Sequence, residues 1–228
     1  MVTRLPRSSL SVRTVTYLSD PKTVDAEIAA SSPSKEHEVV AGPIFINGQK
    51  ANLVVGGTFD HLHAGHKILL SMTAFIASRK LICGITGILT HITPTKSNKT
   101  LIVDDTLLKN KKFAHLLESI SFRTQTVRTF LTLISRHLEL DLVPIHDVYG
   151  PTAYDPEISA LVISEETRAG AESIAKLRME KGLQPLEVFV IDVIGDSEAN
   201  LAMEKIAESK MSSTKIRERL ARNEMVSG

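Results

Sequence analysis

From about residue 51 the chain alternates short apolar runs with longer amphipathic stretches. Leu53–Val55 is an apolar run that stops on Gly56-Gly57 and predicts a buried strand. Residues 66–78 carry Leu69, Met72 and Ile76 at spacings of three and four, which is one face of a helix. Lys80–Thr86 predicts a second strand. Residues 123–138 give the cleanest helical pattern, through Val127, Phe130, Leu131, Ile134 and Leu138. Leu142–Val148 predicts a third strand, Tyr149-Gly150-Pro151 a turn, and Ala160–Ser164 a fourth strand. A helix over 167–181 is expected to end at Gly182, the usual terminator. Leu186–Ile194 is almost continuously apolar, as fits a parallel strand covered on both faces, and a last helix starts near Ser213.

Strand alternating with helix predicts an α/β fold: a Rossmann-like, doubly wound parallel sheet of about five strands in a single domain. The polar stretch Ser31–Glu38 reads as a linker, so the domain is expected over 46–228, with 1–45 an N-terminal extension, partly disordered. Residues 90–100, rich in Thr, Lys, Ser and Asn, read as an inserted loop. Residues 1–19 contain Arg4, Arg7 and Arg13, several hydroxyls and no acid, a composition compatible with a mitochondrial transit peptide. Because the segment lacks amphipathic periodicity, a loosely attached extension is the reading adopted.

Composition adds bounds rather than detail. With 228 residues, 43% of them hydrophobic, the chain can bury a sizeable core. A net charge of +1 gives no reason to expect nucleic acid or an acidic membrane surface as partner. No apolar run approaches the ~20 residues needed to span a bilayer, so the chain reads as soluble and cytoplasmic. Cys83, the single cysteine, excludes an internal disulfide and a cysteine-built zinc site, and reads as a buried strand residue.

Chemistry concentrates in two places. The first is Val54–His66, an apolar strand, a glycine turn and a helix start holding Thr58, His61, His63 and His66. Free amides and a partial positive charge at a helix start attract anions, and Gly57 lets a phosphate approach the backbone. His63 and His66 would flank the first helical turn, within reach of one phosphate. A zinc reading of His61, His63 and His66 lacks a cysteine or suitably spaced acid to complete a tetrahedral set, so no metal site is expected. The second is Lys210-Met211-Ser212-Ser213-Thr214-Lys215-Ile216-Arg217, where Ser and Thr predict a capped helix whose first turn offers amides and hydroxyls to a polyphosphate. Arg217, one turn in, adds a forked donor.

Gly57-Thr58-Phe59-Asp60 followed by His63-x-Gly65-His66 resembles the first signature of the nucleotidyltransferase superfamily, and Ser212-Ser213-Thr214-x-Ile216-Arg217 resembles its second. Tyr149-Gly150-Pro151-Thr152, Asp155-Pro156, Leu161–Thr167, Gly170-Ala171 and Gly182-Leu183-x-Pro185-Leu186-Glu187 narrow the likeness. They resemble the phosphopantetheine adenylyltransferase family of eukaryotic and archaeal type, over about residues 51–221.

The resemblance implies adenylyl transfer from ATP to 4′-phosphopantetheine, giving dephospho-coenzyme A and pyrophosphate, with Mg2+ arriving on ATP. It implies that His66 contacts the α-phosphate in the transition state and that His63, Gly57 and Phe59 help hold ATP. Ser212, Ser213, Thr214 and Arg217 would hold the β- and γ-phosphates. Thr58 would hold the acceptor phosphate, with Lys109, Arg123 and Arg178 as further acceptor contacts and Lys109 also assisting catalysis. Two departures stand out: the insertion near 90–100 precedes the lysine run, and Phe122 stands where the family usually carries a glutamate before the arginine at 123.

Alternatives are a related cytidylyl- or adenylyltransferase acting on another phosphorylated acceptor, and a non-catalytic scaffold subunit of a complex of coenzyme A-synthesising enzymes. A class I aminoacyl-tRNA synthetase fragment is disfavoured by the lack of a basic tRNA-binding module. No Gly-x4-Gly-Lys-Ser/Thr loop occurs, so the chain reads as monofunctional.

Overall fold

The alternation resolves into strands whose odd and even positions serve two different cores. A computed structural model describes residues 12–17, 42–87, 107–108, 110–193 and 211–227. In chain order the principal elements are β1 (Val12–Tyr17), β2 (Phe45–Ile46), β3 (Gln49–Lys50), β4 (Asn52–Gly57), α1 (Ala64–Ile76), β5 (Lys80–Thr86), α2 (Ile120–Ile134), β6 (Glu139–Ile145), β7 (Ala160–Ser164), α3 (Arg168–Glu180), β8 (Glu187–Val193) and α4 (Ser213–Ser227). Six strands form one sheet in the order β1-β8-β7-β4-β5-β6, and every pair is parallel.

Side chains alternate across a strand, so Leu53, Val55, Leu81, Cys83, Val162 and Phe189 face one way and pack with Leu70 of α1 and Val127 and Leu131 of α2. Val54, Ile82, Leu161, Ile163, Val188 and Val190 face the other way, against Ala171 and Ile174 of α3. The chain leaves β4 toward β5 and β6, then crosses back to β7 on the opposite flank of β4. The carboxyl end of β4 is therefore the switch point of the doubly wound sheet, where such folds bind ligands.

Most sequence boundaries move by a few residues, for local reasons. Ser119 accepts a hydrogen bond from the Phe122 amide at 3.2 Å and starts α2 at Ile120 rather than 123. The third of the expected strands runs from Glu139 rather than Leu142, because Lys80–Thr86 pairs residue for residue with Glu139–Ile145. Pro144 is tolerated there because β6 is an edge strand. Gly182, at φ +69°, ends α3 as expected, with the Leu183 amide bonded back to the Arg178 carbonyl at 2.9 Å.

Two elements were not expected. Asn47 and Gly48 both take positive φ, joining β2 and β3 in a tight hairpin. Val12–Tyr17 adds a sixth strand, parallel to β8, so part of the N-terminal extension belongs to the sheet. The linker at 31–38, the insertion near 90–100, Lys109 and Ile194 lie outside the described residues. Among the described residues no helix is long and apolar enough to cross a membrane.

Candidate active site

Strand β4 delivers Gly57 to the switch point, and the chain then turns through strained backbone. Phe59 and His61 sit at φ +50° and +46°, in the left-handed region that costs a non-glycine residue about 1–3 kcal/mol. A Cβ on Gly57 would lie 3.2 Å from the Phe59 ring, so glycine permits this turn's close packing. Phe59 is buried and sets its ring edge-on to His66, centroids 5.4 Å apart.

Helix α1 starts immediately after. His63 is its N-cap residue, but no side chain caps the helix, which leaves the first-turn amides available to an incoming anion. The rings of His63 and His66 stack, 3.9 Å between centroids and 22° between planes. Burial, with the neighbouring His63 adding to it and Asp60 opposing it, pushes the His66 imidazole down to about 4. His66 is therefore neutral at physiological pH, and its Nδ1 finds no hydrogen-bond partner among the described residues.

The second motif opens α4. Ser212 caps it by accepting from the Lys215 amide at 3.3 Å, and the amides of Ser213 and Thr214 begin the helix. The Ser213 hydroxyl donates to the Asp60 carbonyl at 2.8 Å. The Arg217 guanidinium is ion-paired through Nη1 with the Asp60 carboxylate, and both side chains are buried. Arg217 Nε donates to the Lys112 carbonyl at 3.0 Å and Nη2 to the Thr214 hydroxyl at 3.3 Å. The other Asp60 oxygen accepts from the Glu118 amide at 2.9 Å, while Glu118 accepts from the His61 amide at 2.7 Å. The His61 ring donates from Nε2 to the Leu116 carbonyl at 2.9 Å.

The structure thus brings Gly57, Thr58, Phe59, His63 and His66 together with Ser212, Ser213, Thr214 and Arg217. It does not direct every cation at a ligand. Arg217, expected on the phosphates, has its fork committed to Asp60, Lys112 and Thr214. Arg123 is 1% exposed and donates to the carbonyls of Glu118, Thr58 and Thr86 at 2.9, 2.6 and 2.8 Å, so it ties the Thr58 turn to the end of β5. Arg178, expected on the acceptor, is fully buried in the last turn of α3. It donates to the carbonyls of Gln184, Thr152 and Asp155 at 2.8, 2.7 and 3.0 Å. Helix α3 returns antiparallel to the strands, so Arg178 lies toward their amino ends, away from the switch point. Its burial also lowers its pKa, with Asp155 partly offsetting this.

Asp60 and Glu118 were not foreseen as part of the site. The available signal was an acid directly after an apolar strand and Thr-Phe, a position with no reason to be charged unless it has a partner.

Two helix starts joined through Asp60 at the switch point of a doubly wound parallel sheet define a Rossmann-like α/β domain. The sequence profile of the cytidylyltransferase-like family matches residues 54–219, and the chain belongs to that family. Within it the chain is similar to a phosphopantetheine adenylyltransferase of Saccharomyces cerevisiae, 45% identical over 157 residues, covering 69% of this chain and 46% of the yeast protein. It is similar to proteins of the same name from Pyrobaculum aerophilum, 36% identical, covering 64% of this chain and 81% of that one. A third, from Methanopyrus kandleri, is 31% identical and covers 70% of this chain and 87% of its own length. The chain therefore spans about half the length of the yeast relative and most of the archaeal ones.

Proposed function

We propose that this chain transfers the adenylyl group of MgATP to 4′-phosphopantetheine, forming dephospho-coenzyme A and pyrophosphate. The attacking group is already a phosphate oxygen. It forms a bond to the α-phosphorus as the bond to the β-phosphate oxygen breaks, and pyrophosphate leaves with the electron pair. No activated serine or cysteine is needed, so the protein's task is alignment and charge stabilisation. His66, neutral and stacked on His63, offers an N–H to the α-phosphate, and the α1 amides share the charge. The Ser213 and Thr214 amides and the Thr214 hydroxyl take the β- and γ-phosphates. Thr58 and the Phe59 backbone hold the acceptor phosphate. Asp60 is ion-paired and Glu118 holds the His61 amide, so magnesium enters as part of the MgATP substrate.

The observation that carries the reading is the direct union of the two phosphate motifs through Asp60, Ser213 and Arg217. The names of the relatives favour phosphopantetheine as acceptor. A cytoplasmic location and association with other coenzyme A-synthesising enzymes belong to the same proposal, and imaging and co-purification test them.

The decisive experiment is pyrophosphate release with ATP and CTP, each crossed against phosphopantetheine and other phosphorylated acceptors. Release with ATP and phosphopantetheine is expected. Release with CTP or only with another acceptor would move the assignment to a different nucleotidyltransferase. No release with any pair would leave the scaffold reading.

A further inference from the structure

Asp60 is the point where three chain segments meet. Its carboxylate pairs with Arg217 of α4 and accepts the Glu118 amide, and its carbonyl accepts the Ser213 hydroxyl. Arg217 extends the junction to the Lys112 carbonyl and the Thr214 hydroxyl. Three of the four non-glycine residues with positive φ among the described residues, Phe59, His61 and Phe113, border this junction. Strained backbone persists only where surrounding contacts over-determine it, and here those contacts converge on one buried carboxylate.

We infer that Asp60 and Arg217 are positioning residues that hold the histidine side and the serine side of the phosphate cleft in register, Arg217 acting through Asp60 and Thr214 rather than by touching ATP. This rests on the proposed adenylyl transfer for its kinetic readout only. The geometry favours it over direct contact. The Arg217 side chain is 1% exposed and its counter-ion 0%, and each of its three nitrogens has a partner within the protein. Thr214 accepts from Arg217, which leaves its own O–H to donate outward to a phosphate. The cleft thereby receives an oriented hydroxyl rather than a mobile cation.

The test is a mutant cycle of Asp60→Asn, Arg217→Gln and the double variant, in steady-state pyrophosphate release. Misalignment of reacting groups is expected to lower kcat by ~10²-fold in each single variant, with KM for MgATP changed far less. The double variant should be no worse than the poorer single one, because both remove the same junction. A raised KM for MgATP with unchanged kcat in Arg217→Gln, and effects that multiply in the double variant, would overturn the inference in favour of a direct phosphate ligand.

Amide hydrogen exchange on Arg217→Lys, which keeps the charge but not the fork, gives a readout that needs neither substrate nor turnover. Faster exchange over 57–66 and 112–118 is expected, and wild-type exchange there would overturn the coupling. Absence of pyrophosphate release by the wild type would count against the proposed reaction alone, since exchange still decides the junction.

Discussion

The imidazoles of His63 and His66 lie face to face, 3.9 Å apart, at the uncapped start of α1. Two stacked rings this close disfavour a second positive charge, and burial disfavours the first on His66. The switch point thus presents a neutral His66 beside the uncapped amides of α1.

That arrangement sets a pH dependence of stability. His66 is depressed from 6.5 to about 4 in the folded protein. Between those values the unfolded chain binds the proton and the native state does not, so stability falls as pH drops through the window. Melting temperatures at about pH 7 and about pH 5 should show this decline, and His66→Gln should make it shallower. An equally steep decline in the variant would place the effect elsewhere.

His66→Ala should lower turnover by ~10²-fold or more, the usual cost of removing one preorganised donor to a developing charge. Circular dichroism should show the fold retained, because His66 contributes one face of a helix start and no hydrogen bond to the core. Near-normal pyrophosphate release would remove the residue from the transition state.

Arg217→Ala should unfold at markedly lower denaturant, by roughly 3–5 kcal/mol, because it strands a buried Asp60 carboxylate. Adding Asp60→Asn should restore a substantial part, as the stranded charge is then gone. Chemical denaturation of the single and double variants checks both statements.

Arg178→Lys keeps a cation but cannot reach the several carbonyls its fork now satisfies. It should cost about 1–3 kcal/mol, the penalty for buried acceptors left without donors, and leave KM for the acceptor unchanged. A selective rise in that KM would return Arg178 to the substrate.

Local pattern made much of this protein legible. The β4 to α1 turn, the Gly182 terminator and the capped start at Ser213 each follow from a few adjacent residues, and each is where the sequence placed it. The β1 strand was missed because Val12–Tyr17, with Arg13 and Thr14 adjacent, carries no clear apolar–polar periodicity and reads as a loosely attached extension. Its partner, β8, is more than 170 residues away, and no local signal announces such a pairing.

The arginines mark the boundary most clearly. Sequence alone determined the strand and helix alternation, the two anion-attracting helix starts and the histidines between them, because period, glycine freedom and capping are short-range physics. Only the tertiary structure decided what Arg123, Arg178 and Arg217 face. A guanidinium satisfies a phosphate, a carboxylate or a set of carbonyls equally well, and the Asp60 that claims Arg217 lies 157 residues earlier in the chain.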